Sequence, residues 1–129
     1  MEETTLLLME KNLSTGHLER EVGSYTVSEN GELISNIFLS KEDNKEVIHL
    51  KVTTEKDIED DKFDAVYDSY DMESLKEISI SVDEVEEEYN PTWEITFEFD
   101  NNIDVFQNKL QEILNKHKEI LERAYNSVK

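Results

Sequence analysis

Apolar and polar residues alternate over several short stretches of the chain, then change near its end to a rhythm of three and four. Trp93, Ile95, Phe97 and Phe99 alternate with Glu94, Thr96 and Glu98, and Ile78, Ile80 and Val82 alternate with Ser79 and Ser81. This period of two predicts half-buried strands. Ile48, Leu50 and Val52 alternate with His49 and Lys51 in the same way. The Leu-rich segment Thr4 to Lys11 is short enough for a further strand, and Ser14-Thr15-Gly16 then reads as a turn. From His17 to Ser28 the inward side changes from Val22 to Tyr25 and Val27, an odd offset that predicts a bulge at Gly23. Glu29-Asn30-Gly31 is a turn signal, as is the polar run Glu42 to Lys45. Between them, Leu33 to Ser40 fits a helical face through Leu33, Ile34, Ile37 and Phe38, but Ile37 and Leu39 continue a strand alternation, which is the reading adopted.

Residues 55–74 admit two readings. Phe63, Val66, Tyr67 and Tyr70 have helical spacing, while Tyr67 to Tyr70 could equally form a short strand. The C-terminal pattern is plainer. Ile103, Phe106, Leu110, Ile113, Leu114, His117, Leu121 and Ala124 form one helical stripe, which predicts a helix over about residues 102–126. Asn101 or Asn102 can cap its start, Asp104 suits its positive end, and Lys116, Lys118 and Arg123 suit its negative end.

These elements predict an α+β fold in one domain over residues 1–129: a curved antiparallel β-sheet or open barrel of six to seven strands, with one long C-terminal α-helix over its apolar face. The strand-then-helix segment Trp93 to Lys118 resembles the end of a pleckstrin-homology-like barrel, whose last strand leads into a helix that plugs one end. That resemblance implies a fold and no function. The lipid-binding members of that fold use basic residues around the first hairpin. Here Lys11, His17 and Arg20 are mixed with Glu10, Glu19 and Glu21, so the resemblance implies a protein-binding rather than a lipid-binding use.

Charge changes the picture more than composition does. The chain carries 32 acidic and 13 basic side chains, for a net charge of −19. Residues 55–104 alone hold 19 of the acids and three of the bases. Such a charge repels phosphate backbones and anionic head groups, so neither nucleic acid nor a membrane is expected as a direct partner. No apolar run is long enough to span a bilayer, and Met1-Glu2-Glu3 has the wrong charge for the start of a signal peptide, which predicts a cytoplasmic protein. With no cysteine, thiolate metal sites and cysteine nucleophiles are excluded. The segments Met1-Glu2-Glu3-Thr4, Met9-Glu10-Lys11 and Tyr67-Asp68-Ser69-Tyr70-Asp71 resemble those of short acidic bacterial proteins of unknown function, a resemblance that implies no activity.

No nucleophile motif, HExxH sequence or phosphate-binding glycine loop accompanies His17, His49 or His117, and no motif calls for a cofactor. An enzyme is therefore the third-ranked reading. His117 falls within the apolar stripe and reads as a satisfied core histidine. Asp64, Asp68 and Asp71 would share one face if residues 55–74 were helical and could hold a hard cation, although a solvated acidic surface accounts for them as well. The aspartates at 57, 60 and 61 lack the glycine and the terminal glutamate of an EF-hand loop.

The most specific feature is a hairpin around Asn90-Pro91-Thr92. With those three residues as its loop, Tyr89 faces Trp93 and Val85 faces Phe97 on the inner side. Glu88 then faces Glu94 and Glu84 faces Glu98 on the outer side, while Glu87 falls inward. Opposed like charges weaken a ladder by some tenths of a kcal/mol each. A basic partner would relieve them. Glu84, Glu86, Glu88, Glu94 and Glu98 are accordingly the candidate partner-binding residues of a non-catalytic acidic module for a basic protein surface. The alternative is a nucleic-acid mimic, whose carboxylates would stand where phosphates stand. Crowding among the acids of residues 55–104 predicts raised carboxylate pKa values there, and hence a gain of stability on mild acidification.

Overall fold

A computed structural model of the chain describes residues 3–54, 57–86 and 88–128. Six strands form one sheet: β1 (Thr4–Lys11), β2 (Leu18–Val27), β3 (Ile34–Glu42), β4 (Lys45–Val52), β5 (Ser81–Val85) and β6 (Thr92–Glu98). Two short helices, α1 (Phe63–Ser69) and α2 (Met72–Lys76), fill the gap between β4 and β5, and α3 (Ile103–Val128) follows β6. The fold is α+β, as the apolar rhythms predict. The strand order is β2-β1-β3-β4-β6-β5. This corrects the all-antiparallel expectation, because β1 lies between β2 and β3 and runs parallel to β3. The sheet stays open and is not closed into a barrel, so the likeness to a pleckstrin-homology-like barrel reaches no further than a last strand leading into a helix.

Local chemistry explains the junctions. Asp43 and Asn44 both take positive φ, at 50° and 68°, and join β3 to β4 in a two-residue turn between Glu42 and Lys45. The predicted bulge in β2 is present: Leu8 pairs with Gly23 while Met9 pairs with Glu21, leaving Val22 as the extra residue. At Gly31 a Cβ would stand 2.1 Å from the Thr4 Oγ1, so only glycine allows the start of β1 to pass. The Asn102 side chain accepts from the Val105 amide at 3.1 Å and caps α3.

All three helices lie on one face of the sheet. Leu8, Leu39, Ile48, Leu50, Trp93, Ile95 and Phe97 meet Phe106, Leu110, Ile113, Leu114 and Leu121 of α3 in a single core, with Val66, Tyr70 and Leu75 from the short helices. Ile103 is an exception to the predicted stripe, being 57% exposed in the first turn of α3. His117 sits at the centre with no exposed surface. Its Nδ1 lies 2.6 Å from the Tyr70 hydroxyl and its Nε2 lies 2.8 Å from the Thr53 carbonyl. The carbonyl can only accept, so Nε2 carries the proton and Tyr70 donates to Nδ1. Burial lowers the His117 pKa to about 4.

The two sheet edges are finished differently. At the end of β2, the Gln107 side chain accepts from the Thr26 amide at 2.8 Å and Gln111 accepts from the Ser28 amide just beyond the strand at 2.9 Å, so α3 is tied to that corner of the sheet. The edge at β5 has β6 on one side and, among the described residues, no strand on the other. No helix among the described residues is long and apolar enough to cross a membrane.

Candidate functional site

Residues 55–74 resolve as helix where the apolar spacing is helical. Val66 and Tyr70 enter the core, Tyr67 is half-buried beside Trp93 at 5.2 Å between ring centroids, and Phe63 is half-buried at the near end of α1. The backbone turns extended at Tyr70, and Asp71 begins α2 by accepting from the Ser74 amide and hydroxyl. Those bonds hold the Asp71 carboxyl below its usual pKa. The single face imagined for Asp64, Asp68 and Asp71 is thereby divided between two helices. Among the described residues no three His, Asp or Glu side chains are grouped to hold a metal ion.

The hairpin differs from the expected register. Val85 pairs with Thr92, Glu84 with Trp93 and Asp83 with Glu94. The loop therefore runs from residue 86 to Pro91, longer than the three residues expected. Its base is held from outside the hairpin. The Tyr67 hydroxyl donates to the Val85 carbonyl at 3.1 Å and accepts from the Thr92 amide at 3.0 Å, while Asn90 accepts from the Ile58 amide at 2.9 Å. The pairing is displaced by five residues, an odd number, and an odd displacement exchanges faces. Glu84 thus points to the helix side with Trp93, Glu94 and Glu98 lie on the opposite side, and Glu88 is in the loop. The pairs Glu88–Glu94 and Glu84–Glu98 do not form. Glu87 lies outside the described residues. Strand β5 also begins later than its alternation suggests. Ile78 and Ser79 are bonded back to the Leu75 carbonyl at the end of α2, which leaves Ile80 61% exposed.

What the register breaks up, the tertiary fold partly reassembles. Phe63, Asp64 and Tyr67 of α1 face Glu84, Val85, Glu86 and Glu88 across a cleft of about 200 Å³. Three of the five predicted partner-binding glutamates, and one of the three candidate cation ligands, thus line one recess with two aromatic rings. None of Asp64, Glu84, Glu86 or Glu88 makes an ion pair among the described residues. Their field reaches Tyr67, whose phenol is held above its usual pKa by burial first and then by Glu84, Glu88 and Glu86.

The chain belongs to a family of unknown function, DUF6762. The family model matches residues 1–129, in keeping with the resemblance to proteins of unknown function. No curated protein and no solved structure matches the chain. Membership in DUF6762 supplies no role for any residue, so the chemistry of the sheet's other face has to be judged on its geometry.

On that face, strand pairing builds a polar cluster that no local motif announces. Phe38 of β3 stacks on His49 of β4 at 4.6 Å, and the Lys11 ammonium stands 4.7 Å from the centroid of the Phe38 ring. His49 Nε2 lies 2.8 Å from Ser40 Oγ and 3.1 Å from Glu42, and its Nδ1 lies 3.5 Å from Glu94. Burial would lower the His49 pKa, but bonds to Glu94 and Glu42 outweigh it and hold the imidazole above its usual value. Glu94 is lowered in return by His49, with help from Lys51 and Lys11, and Glu42 is lowered by Ser40 and His49.

A serine, a histidine and an acid meet here, but the protons run the wrong way for a nucleophile. Ser40 donates to Glu42 at 2.6 Å, so the histidine donates to the serine oxygen instead of accepting its proton. Ser40 is also only 1% exposed. The carboxylate shifts at Asp71 and Glu94 are downward, which corrects the expectation of raised values for these two members of residues 55–104, and Glu42 is lowered as well. Each of them is hydrogen-bonded in its charged form.

Proposed function

We propose that this protein is a non-catalytic acidic interaction module, and that the cleft between α1 and β5 receives cationic side chains from a basic protein surface. The observation that carries this reading is the lining of the cleft: four carboxylates that make no ion pair among the described residues, beside Phe63 and Tyr67. Carboxylates supply charge attraction, and an aromatic face adds cation–π attraction of about 0.5–1 kcal/mol at an exposed site. Arginine, with a planar head that stacks and forks, suits such a recess especially well. Tyr89 in the adjoining loop is 79% exposed and extends the aromatic contact surface. A compact recess flanked by rings fits a protein side chain better than the long carboxylate ridge that a nucleic-acid mimic would need.

The test is paired affinity capture from a native cell extract at low and high salt, using wild type, Asp64→Asn/Glu84→Gln/Glu86→Gln/Glu88→Gln, and Glu94→Gln/Glu98→Gln. The proposal expects salt-sensitive partners to be lost from the cleft variant and kept by the Glu94/Glu98 variant. Equal capture by all three would overturn it.

A further inference from the structure

The cleft does not end at its four acids; it opens beside β5, a strand at the outer edge of the sheet. An edge strand presents unpaired amide and carbonyl groups along its free side. At the end of β2 Gln107 meets the Thr26 amide, and Gln111 meets the Ser28 and Glu29 amides just beyond it. Among the described residues no strand follows beyond β5, and the only side-chain hydrogen bond to its backbone is from Tyr67 to Val85, at the hairpin base. Asp83 and Glu84 project from β5 to opposite faces, and both are exposed. A strand laid against this edge would therefore meet a carboxylate on each face, with the cleft at the helix-side end.

We infer that β5 accepts an extended basic segment of a partner protein as a seventh strand, which delivers one cationic side chain into the cleft and another to Asp83. This deepens the reading given under Proposed function and rests on it. Strand addition takes affinity from main-chain bonds and specificity from alternate side chains, which matches an edge with acids on both faces. Charge chooses the occupant. A second copy of this chain pairing β5 against β5 would set Asp83 and Glu84 near their own counterparts, and like charges across a ladder are unfavourable. A basic strand reverses every one of those contacts.

The experiment uses the full-length protein labelled with ¹⁵N and a nine-residue peptide of Lys-Lys pairs separated by Thr-Thr pairs, which as a strand presents Lys on both faces. A second peptide of the same sequence carries N-methyl groups on every other residue, removing hydrogen-bond donors from one edge; a third carries them on the intervening residues. Strand addition predicts shifts and slowed hydrogen exchange at the Val82 to Val85 amides. It further predicts at least ten-fold weaker binding for one of the two methylated peptides but not the other. If both methylated peptides bind as tightly as the parent, with shifts confined to Phe63, Tyr67 and Glu86, strand addition is wrong and the acidic cleft stands. If no peptide binds at low salt, both readings fail. Self-association of the free protein through shifts at β5 would assign the edge to a second copy and would overturn the inference as well.

Discussion

Two groups of acids on this small fold have opposite circumstances. Glu42 and Glu94 flank His49 on the open sheet face, where a raised imidazole and nearby Lys11 and Lys51 supply positive charge. Asp64, Glu84, Glu86 and Glu88 surround the cleft, where the lining residues include no base. The first group is satisfied within the molecule. The second makes no ion pair among the described residues, and its carboxylates are exposed. A large net negative charge therefore says little about where a partner would dock; what matters is which acids lack a counter-charge of their own.

The largest effect expected involves neither group and must be separated from both. His117 titrates near 4 in the folded state against about 6.5 in the unfolded chain. A lowered pKa on a base means that its stabilising contribution is complete above pH 6.5 and is lost as pH falls toward 4. At 1.36 kcal/mol per unit this amounts to about 3 kcal/mol. Chemical denaturation of wild type between pH 7 and 4 should show that loss, starting above the range where carboxylates protonate. A His117→Gln variant should be less stable at pH 7, because Tyr70 and Thr53 lose well-placed partners, but its stability should decline less over the same interval. An unchanged slope in the variant would remove His117 from the account.

Next in size comes the satisfied group. Glu94→Gln should cost about 1–2 kcal/mol of stability, since the charge-assisted contact between the Glu94 carboxylate and His49 is lost inside a partly buried cluster. Partner binding should be untouched. The linkage at His49 has the opposite sign to that at His117. Its raised pKa gives stability that is present below pH 6.5 and is lost as pH rises through its folded value. A small decline in stability on mild alkalinisation should therefore disappear in Glu42→Gln/Glu94→Gln, as measured by denaturant midpoints. A decline that persists in that double variant would show that these acids do not hold the imidazole.

Smallest is the stability effect at the cleft. Replacing its four acids by amides should move the melting temperature by no more than a few degrees, because exposed carboxylates without partners lose nothing on neutralisation. A collapse of stability would mean that the cleft acids are structural.

Much of this fold was legible in the chain. The alternation around Trp93 and the stripe from Phe106 to Ala124 both reflect burial against one another, and local period is a direct record of burial. The offset between Val22 and Tyr25 marked a bulge for the same reason. Strand order was not legible, because nothing local distinguishes β1 beside β2 from β1 beside both β2 and β3. The hairpin register failed at Pro91, since the loop's length is set by Tyr67 and Ile58 from outside the hairpin. The His49 cluster was hidden because Ser40, His49 and Glu94 belong to three strands. Only Lys51, on the same face as His49 two residues on, hinted at a polar centre there. The cleft was half visible: Glu84, Glu86 and Glu88 were identified by crowding, whereas Asp64 joined them only through the packing of α1.

The claim that uncompensated cleft acids, rather than total charge, govern recognition is tested most directly by association rate. Stopped-flow binding of the peptide of Lys-Lys and Thr-Thr pairs at low ionic strength should be compared for two variants that each remove four acids. One is Asp64→Asn/Glu84→Gln/Glu86→Gln/Glu88→Gln. The other is Glu19→Gln/Glu21→Gln/Glu29→Gln/Glu32→Gln, at exposed positions in β2 and the segment that follows it. Electrostatic steering that depends on a local field predicts that the cleft variant associates about ten-fold more slowly than wild type, with the control within about two-fold. Equal slowing in both variants would contradict the account, because it would mean that the peptide responds to net charge alone.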